Sequence, residues 1–364
     1  MTLNTFAPLP ENTGSKSLSA IFNAEVKKAL TDFPQLQGRF MFINAPENGA
    51  VLDIDRERVG IRSDRELQHI LSDIKQEAEK AGSSMATKLG RDSLDVLVYT
   101  PLPFKMFTGK DQTPEMEAMA VFDHELGHLV VRGGYFSQDP TLRETAADTF
   151  AVLRHIQRYG EESKAIEKAG WRRAFDFVVS GDAGHFTMLT LDEVTKLKET
   201  LDIKKMSPQQ TADLASRLAL EHTPHADVTN SIAFEFEAVR QTLKRTKNIE
   251  AAMRTLAEIV LDDQADFYAL KIGGRALKPF LNGDVRNADG TPYEFKGAYW
   301  NSVKDELNAK LAQVDKDGLL FGMPLKGAAE KPVEPESVKV KQMPRPQQPG
   351  PDHSGWKNWF RMAA

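Results

Sequence analysis

The segment 113–131 reads TPEMEAMAVFDHELGHLVV and predicts a helix around which the rest of the chain is organised. Thr113 is a good N-cap residue, and Pro114 is favoured at the first helical position. Gly133 and Gly134 follow the segment and end it. Apolar side chains flank the polar ones on both sides, so the helix is expected to lie in the core rather than on the surface.

This predicted helix carries three polar residues that together indicate a metal site: His124, Glu125 and His128. Residues four apart lie on the same helix face, so the two imidazoles can both reach one zinc ion. Glu125 lies about 100° round the helix from His124, within reach of a water held by that ion. Because buried polar groups cost free energy, their placement in an apolar helix argues for a function.

A third ligand must come from outside the helix, because a catalytic zinc takes three protein ligands and keeps one position open. One known extension of the motif adds a Gly and then a third His, but Val131 and Gly134 stand at those positions. The following predicted helix offers Glu144 and Asp148 on one face, four residues apart. From spacing alone, Asp148 or Asp139 could ligate instead of Glu144.

The pattern His124-Glu125-x-x-His128 followed by Glu144-x-x-x-Asp148 resembles that of the gluzincin zinc metallopeptidases, over about residues 60–160. The resemblance implies a zincin fold, Zn²⁺ as the metal, and a peptide or protein substrate. It implies that His124, His128 and Glu144 are the ligands and that Glu125 is the general base. Asp148 would hold a ligating His by a hydrogen bond.

The implied reaction also needs a donor to the oxyanion that forms when water attacks a carbonyl carbon. Zinc would activate the water, and Glu125 would take its proton. Tyr135, which follows the glycine pair, and His225, in a predicted loop, are the candidate donors. Further Tyr and His residues with a weaker claim are Tyr159, His155, His185 and His222.

Short elements precede the metal-binding helix. A hairpin is predicted from two strands, Arg39–Asn44 and Ala50–Ile54, and an amphipathic helix runs from Ser63 to Gly82. A buried strand at Leu94–Thr100 and an edge strand at Phe104–Phe107 follow. Either of these last two could border the cleft and bind an extended peptide by strand addition.

The remainder of the chain is predicted to be largely helical. The expected fold class is α+β and predominantly helical, with a zincin-like catalytic core, a small N-terminal sheet and a helical C-terminal region. The clearest C-terminal helices are Pro208–Leu220, Asn230–Arg245, Ile249–Leu270 and Tyr299–Val314. Four units are predicted: a flexible leader (1–17), the catalytic core (18–164), a helical domain (165–325) and a disordered Pro/Lys-rich tail (326–364).

Composition narrows the classes of function. The 364 residues are 41% hydrophobic and 27% charged, with a net charge of −5, so charge does not favour a nucleic-acid partner. The chain has no cysteine, which leaves His, Asp and Glu as the ligands for a transition metal. No apolar run reaches the ~18 residues of a membrane span, and no classical signal peptide is visible. A cytoplasmic location is therefore expected.

Two other functions compete with a hydrolase. One is a zinc-binding regulatory or scaffold protein without turnover, although such a protein would not need Glu125. The other is a helical interaction protein without a metal, in which the C-terminal tail binds a partner through Trp356, Trp359 and Phe360.

Overall fold

A computed structural model of the protein describes most of the chain from residue 18 onward. Its described residues are 18–317 apart from 48, 82–83, 90–93, 101–112, 132–138, 161–163, 198–199, 286–290, 292 and 294, together with 319–320 and 323–324. The predicted leader, the strand at Phe104–Phe107, Tyr135 and the predicted tail lie outside this part of the chain.

Thirteen α-helices and six strands are found among the described residues. The strands are β1 (Arg39–Asn44), β2 (Gly49–Ile54), β3 (Met85–Leu89), β4 (Leu94–Tyr99), β5 (Leu319–Leu320) and β6 (Met323–Pro324). The helices are α1 (Leu18–Asp32), α2 (Arg56–Val59), α3 (Asp64–Ala81), α4 (Pro114–Val130), α5 (Pro140–Tyr159), α6 (Ala165–Ser180), α7 (Met188–Leu197), α8 (Pro208–His222), α9 (Ala226–Glu235), α10 (Glu237–Thr246), α11 (Ile249–Leu261), α12 (Gly274–Asn282) and α13 (Ala298–Asp317). A predominantly helical α+β chain with a small sheet is thus confirmed.

The first four strands form one mixed sheet in the order β2-β1-β4-β3. β1 pairs antiparallel with β2, as the predicted hairpin requires, and parallel with β4. β3 pairs antiparallel with β4 and forms the edge of the sheet. The prediction that β4 could accept a substrate strand is wrong, because both of its sides are already paired and all six of its residues are buried.

Helices cover both faces of this sheet. Phe40 and Phe42 of β1 point to a core shared with α1 and α4, where Phe42 and Phe122 make an edge-to-face contact with centroids 5.6 Å apart. Met41 and Ile43 point to the opposite face and pack against the apolar side of α3. This alternation is the period of two expected of a strand, and it places α4 directly on the sheet.

Helices α4 and α5 pack closely at Gly127, which lies between His124 and His128. A Cβ atom at Gly127 would lie 2.9 Å from Cα of Ala147 and 3.3 Å from Cδ1 of Phe150. The small residues Gly127 and Ala147 therefore let the two backbones approach each other. The close approach brings the histidines of α4 towards the carboxylates of α5.

We expect Gly127→Ala to lower the free energy of unfolding by up to about 2 kcal/mol. Alanine gains about 1 kcal/mol of helix propensity, but a methyl group forced against backbone atoms costs about 1–3 kcal/mol. Urea unfolding would measure the change. Gly170→Ala in α6 is the matched control, because the nearest atoms to a Cβ there belong to the side chain of Arg275 and lie at an ordinary contact distance of 3.4 Å or more. Stabilisation by both substitutions would contradict the close contact.

The C-terminal helices build a second core, and two of the predicted helices there are shorter than expected. The predicted helix Asn230–Arg245 is broken at Phe236, whose side chain is fully buried. Arg240 donates to the carbonyl of Ala233, which satisfies an acceptor at the break. The predictions of helices at Pro208–Leu220 and Tyr299–Val314 are confirmed by α8 and α13.

The predicted helix Ile249–Leu270 also ends early, at Leu261. Asp262 accepts a hydrogen bond from the backbone of Gln264, and Lys310 of α13 donates to the carbonyls of Leu261 and Asp262. Side chains that bond the backbone in this way compete with continuation of the helix.

The first core extends past residue 164. It contains residues of α1, α4 and α5 together with Leu191 of α7 and Leu214 of α8. The two predicted units 18–164 and 165–325 thus share apolar packing, and their division stays a prediction. Within the described part of the chain, the helices are all too short or too polar to span a bilayer.

Candidate metal centre

Three side chains of α4 and α5 converge on one point. The Nε2 atoms of His124 and His128 lie 3.2 Å apart. Oε2 of Glu144 lies 3.3 Å from Nε2 of His124, and Oε1 of Glu144 lies 3.5 Å from Nε2 of His128. Among the residues that the structure describes, this is the one group of His, Asp and Glu side chains that could hold a metal ion.

The spacing of these donor atoms fits a small tetrahedral ion. Zinc binds nitrogen and carboxylate oxygen at about 2.0–2.2 Å, so two ligands at a tetrahedral angle lie about 3.3 Å apart. The three separations found, 3.2, 3.3 and 3.5 Å, are close to that edge length. Two neutral imidazoles and one carboxylate also form a donor set that zinc accepts, with a fourth position left open.

The site faces a strip of solvent along α4. After its first turn, this helix is buried except for Ala120, His124 and His128, which follow one another at intervals of four residues. On α5, the partly exposed residues before its last turn are Arg143 and Glu144. The three side chains are therefore partly accessible from outside, whereas the other residues in the middle of both helices are mostly buried.

Asp148 holds His124 from the side opposite the convergence point. Its Oδ1 atom lies 2.9 Å from Nδ1 of His124. Arg173 donates to both carboxylate oxygens of Asp148, at 2.6 and 2.7 Å, and Thr187 donates to Oδ2 at 2.7 Å. A carboxylate at Nδ1 keeps the proton on that nitrogen and leaves the Nε2 lone pair for a metal.

This geometry bears on the three carboxylates that spacing alone left open. Glu144 contacts the Nε2 atoms of both histidines, whereas Asp148 contacts the other ring nitrogen of His124. Asp139 is the N-cap of α5 and accepts from the backbone N–H of Leu142 at 3.1 Å. Of the three carboxylates, Glu144 is therefore the one placed to hold a metal together with both histidines.

Charges around His124 shift the pKa values of the site. Burial alone would lower the pKa of His124, but hydrogen bonds with Asp148 and Glu144 outweigh it and raise the pKa to about 9. Burial likewise opposes ionisation of Glu144 and Asp148. The neighbouring cations outweigh that cost, so the pKa of each carboxyl lies below its usual value. Both carboxylates are ionised at neutral pH.

Burial dominates at the other two residues of the motif. It raises the pKa of Glu125 to about 7, although the charge on His124 acts in the opposite direction. It lowers the pKa of His128 to about 4, so that His128 is neutral at physiological pH. A carboxyl group with a pKa near neutrality is suited to accept and return a proton at that pH.

In the metal-free protein, we expect the His124 ring to titrate near pH 9 in NMR spectra. Asp148→Asn removes one anionic partner and should lower this pKa by roughly 1–3 units. Because the pKa of His124 is raised in the folded state, protonated His124 stabilises the metal-free fold. This contribution is fully present below the unfolded-state pKa of 6.5. That contribution is lost as the pH rises towards 9. An unchanged pKa in the variant would contradict the contact.

The other candidates for an oxyanion donor are spread over the molecule. His225 is exposed and caps α9, where its Nδ1 accepts from the backbone N–H of Asp227 at 3.4 Å. His155 is buried against Tyr159, with ring centroids 4.6 Å apart. His185, partly exposed, is the candidate that lies near the ligands: a Cβ at Gly184 would be 3.5 Å from Cγ of Glu144.

The sequence does not predict that Arg173 and Thr187 belong to this site. They follow Asp148 by 25 and 39 residues, and no helical spacing connects them to the motif. The sequence indicates only that a buried Asp148 would need cationic or hydroxyl partners somewhere in the chain.

Comparison of the whole chain with protein-family models, with curated proteins and with solved structures finds no match in any of the three.

Proposed function

We propose that the protein is a zinc-dependent hydrolase that cleaves peptide bonds. The observation that carries this proposal is the convergence of His124, His128 and Glu144 at tetrahedral spacing, with Glu125 adjacent on the same helix. Other divalent metals accept the same donors, but two imidazoles and one carboxylate with an open position are typical of catalytic zinc.

Zinc, when bound, supplies a Lewis acid that activates water and polarises a carbonyl group. His128 is neutral, and Asp148 keeps a proton on Nδ1 of His124, so the metal would displace only the proton on Nε2 of His124. Glu125 accepts the proton of the attacking water and passes it to the leaving amine. This role explains a buried carboxylate that is not among the ligands, which a scaffold protein would not require.

The sheet supports an extended peptide as the substrate. Among the described residues, β3 is one of the two edge strands of this sheet, and it packs against α4, the helix that carries both histidines. An extended chain can add to such an edge through main-chain hydrogen bonds, and side-chain pockets then give specificity. In this proposal β3 takes the substrate-binding role predicted for β4, while the same role for Phe104–Phe107, which lies outside the described residues, stays a prediction.

Two measurements test the proposed function. Metal analysis of the purified protein should find about one zinc per chain, because the described residues hold one group of ligands. A mixture of peptides incubated with the zinc-loaded protein should then show new termini by mass spectrometry. Zinc binding without any cleavage would favour the regulatory or scaffold protein, and absence of metal binding would refute both.

A further inference from the structure

Arg173 is a buried cation on α6 that contacts the metal centre from the C-terminal part of the chain. Its side chain is 6% exposed, and its two donor groups contact the two oxygens of Asp148. It also lies 4.0 Å from Oε2 of Glu144, which is too long for a hydrogen bond. Its principal contact is therefore with Asp148 rather than with a ligand.

The carboxylate of Asp148 is held on every side. Arg173 fixes both oxygens, Thr187 donates to Oδ2, and Oδ1 faces Nδ1 of His124. A planar guanidinium that binds a carboxylate through two parallel hydrogen bonds fixes its orientation as well as its charge. The direction of the His124 ring therefore depends on a residue that does not touch it.

The position of Arg173 depends in turn on the C-terminal core. Trp171, Phe175 and Phe177 of α6 are buried in that core, and the indole N–H of Trp171 donates to the carbonyl of Ala276 in α12 at 3.4 Å. Thr187 lies just before α7, which packs against α6. The helices beyond residue 164 thus place both groups that orient Asp148.

We propose that Arg173 is a positioning residue, which acts through Asp148 to aim Nε2 of His124 at the metal and so makes the C-terminal helical region part of the metal centre. This inference rests on the proposed function, because it needs a metal at His124, His128 and Glu144. Lysine would not replace Arg173, since an ammonium group is a point charge and cannot hold both carboxylate oxygens in one plane.

The affinity for zinc, measured by competition with a chromophoric chelator, tests the proposal without reference to activity. Arg173→Met should weaken zinc binding by roughly 10–100-fold, the usual effect of removing a group that orients a ligand. On a logarithmic scale, Arg173→Lys should recover less than half of the zinc affinity that Arg173→Met loses. In the Co²⁺-loaded protein, both variants should change the visible absorption spectrum, which reports ligand geometry.

Arg172 supplies the matched control on the same helix. Its side chain is about one-third exposed, and its ion pair with Asp176 is loose, at 3.9 Å. Arg172→Met should leave both zinc affinity and the Co²⁺ spectrum unchanged within about twofold. Equal effects of the two Met variants would show a general loss of positive charge and would overturn the proposal.

A double-mutant cycle tests whether Arg173 acts through Asp148. The double variant Asp148→Asn, Arg173→Met removes both partners of the buried ion pair. Because no unpaired buried charge is left, it is expected to fold. Adding Arg173→Met to Asp148→Asn should weaken zinc binding by less than about twofold. Thr187→Val, which keeps the ion pair, should weaken it by severalfold.

Two outcomes separate the inference from the proposed function. If wild type binds zinc and the cycle is additive, Arg173 does not act through Asp148 and the inference fails alone. If wild type does not bind zinc at all, the proposed function fails first.

Discussion

Glu125→Gln is expected to lower kcat for peptide cleavage by roughly 10²–10⁴-fold, the usual contribution of a general base. The amide has almost the same shape as the carboxylate but cannot accept the proton of the attacking water. The metal should remain, since the donors that converge are those of His124, His128 and Glu144. Cleavage of a peptide identified from the mixture, together with zinc analysis of the same sample, measures both quantities.

Glu115→Gln is the matched control for this substitution. Glu115 lies in the first turn of the same helix and is exposed, so the change removes an equal charge without entering the site. It should leave kcat within about twofold of wild type, as expected for a surface position. If Glu125→Gln retained zinc and cleaved as fast as wild type, Glu125 would not be the base and the proposed mechanism would be wrong.

His124→Ala is expected to abolish stoichiometric zinc binding. The substitution leaves two of the three donor side chains. Asp148 cannot replace the missing imidazole, because its oxygens accept hydrogen bonds from Arg173 and Thr187. Wild type in zinc at 100 times its Kd should gain about 2.7 kcal/mol of stability, and the variant should gain none. Thermal unfolding with and without zinc gives the comparison.

The fold itself should survive His124→Ala, because Asp148 keeps its buried ion pair with Arg173 when the imidazole is removed. His69→Ala removes an exposed histidine of α3 and should leave the zinc-dependent gain in stability intact. A zinc-dependent gain that persists in His124→Ala but disappears in His69→Ala would place the metal elsewhere.

The elements that the sequence predicted well are those with strong local signals. Helix α4 begins as predicted, with Thr113 as its N-cap before Pro114, and α5 begins in the same way, with Asp139 before Pro140. Capping and helical periodicity depend on residues within one or two turns. Helices and their first residues can therefore be predicted without knowledge of the fold.

The strands show where such local reasoning ends. Met85–Leu89 was not predicted, because five residues with little alternation become a strand only by pairing with β4. The burial of β4 was predicted, but not that its second neighbour would be β1, some fifty residues earlier in the chain. Pairing between distant segments decides which strand is the edge, and sequence periodicity carries no information about it.

Helical spacing alone places His124 and His128 on one helix face and Glu144 and Asp148 on another, because a helix repeats every 3.6 residues. How the two faces meet depends on the packing of α4 against α5, which no local pattern encodes. The close contact of α4 and α5 at Gly127 brings the donors to within 3.2–3.5 Å, and this makes Glu144 the carboxylate that could hold a metal with the two histidines. The partners of Asp148 come from distant segments that packing alone brings together. No spacing along the chain encodes them.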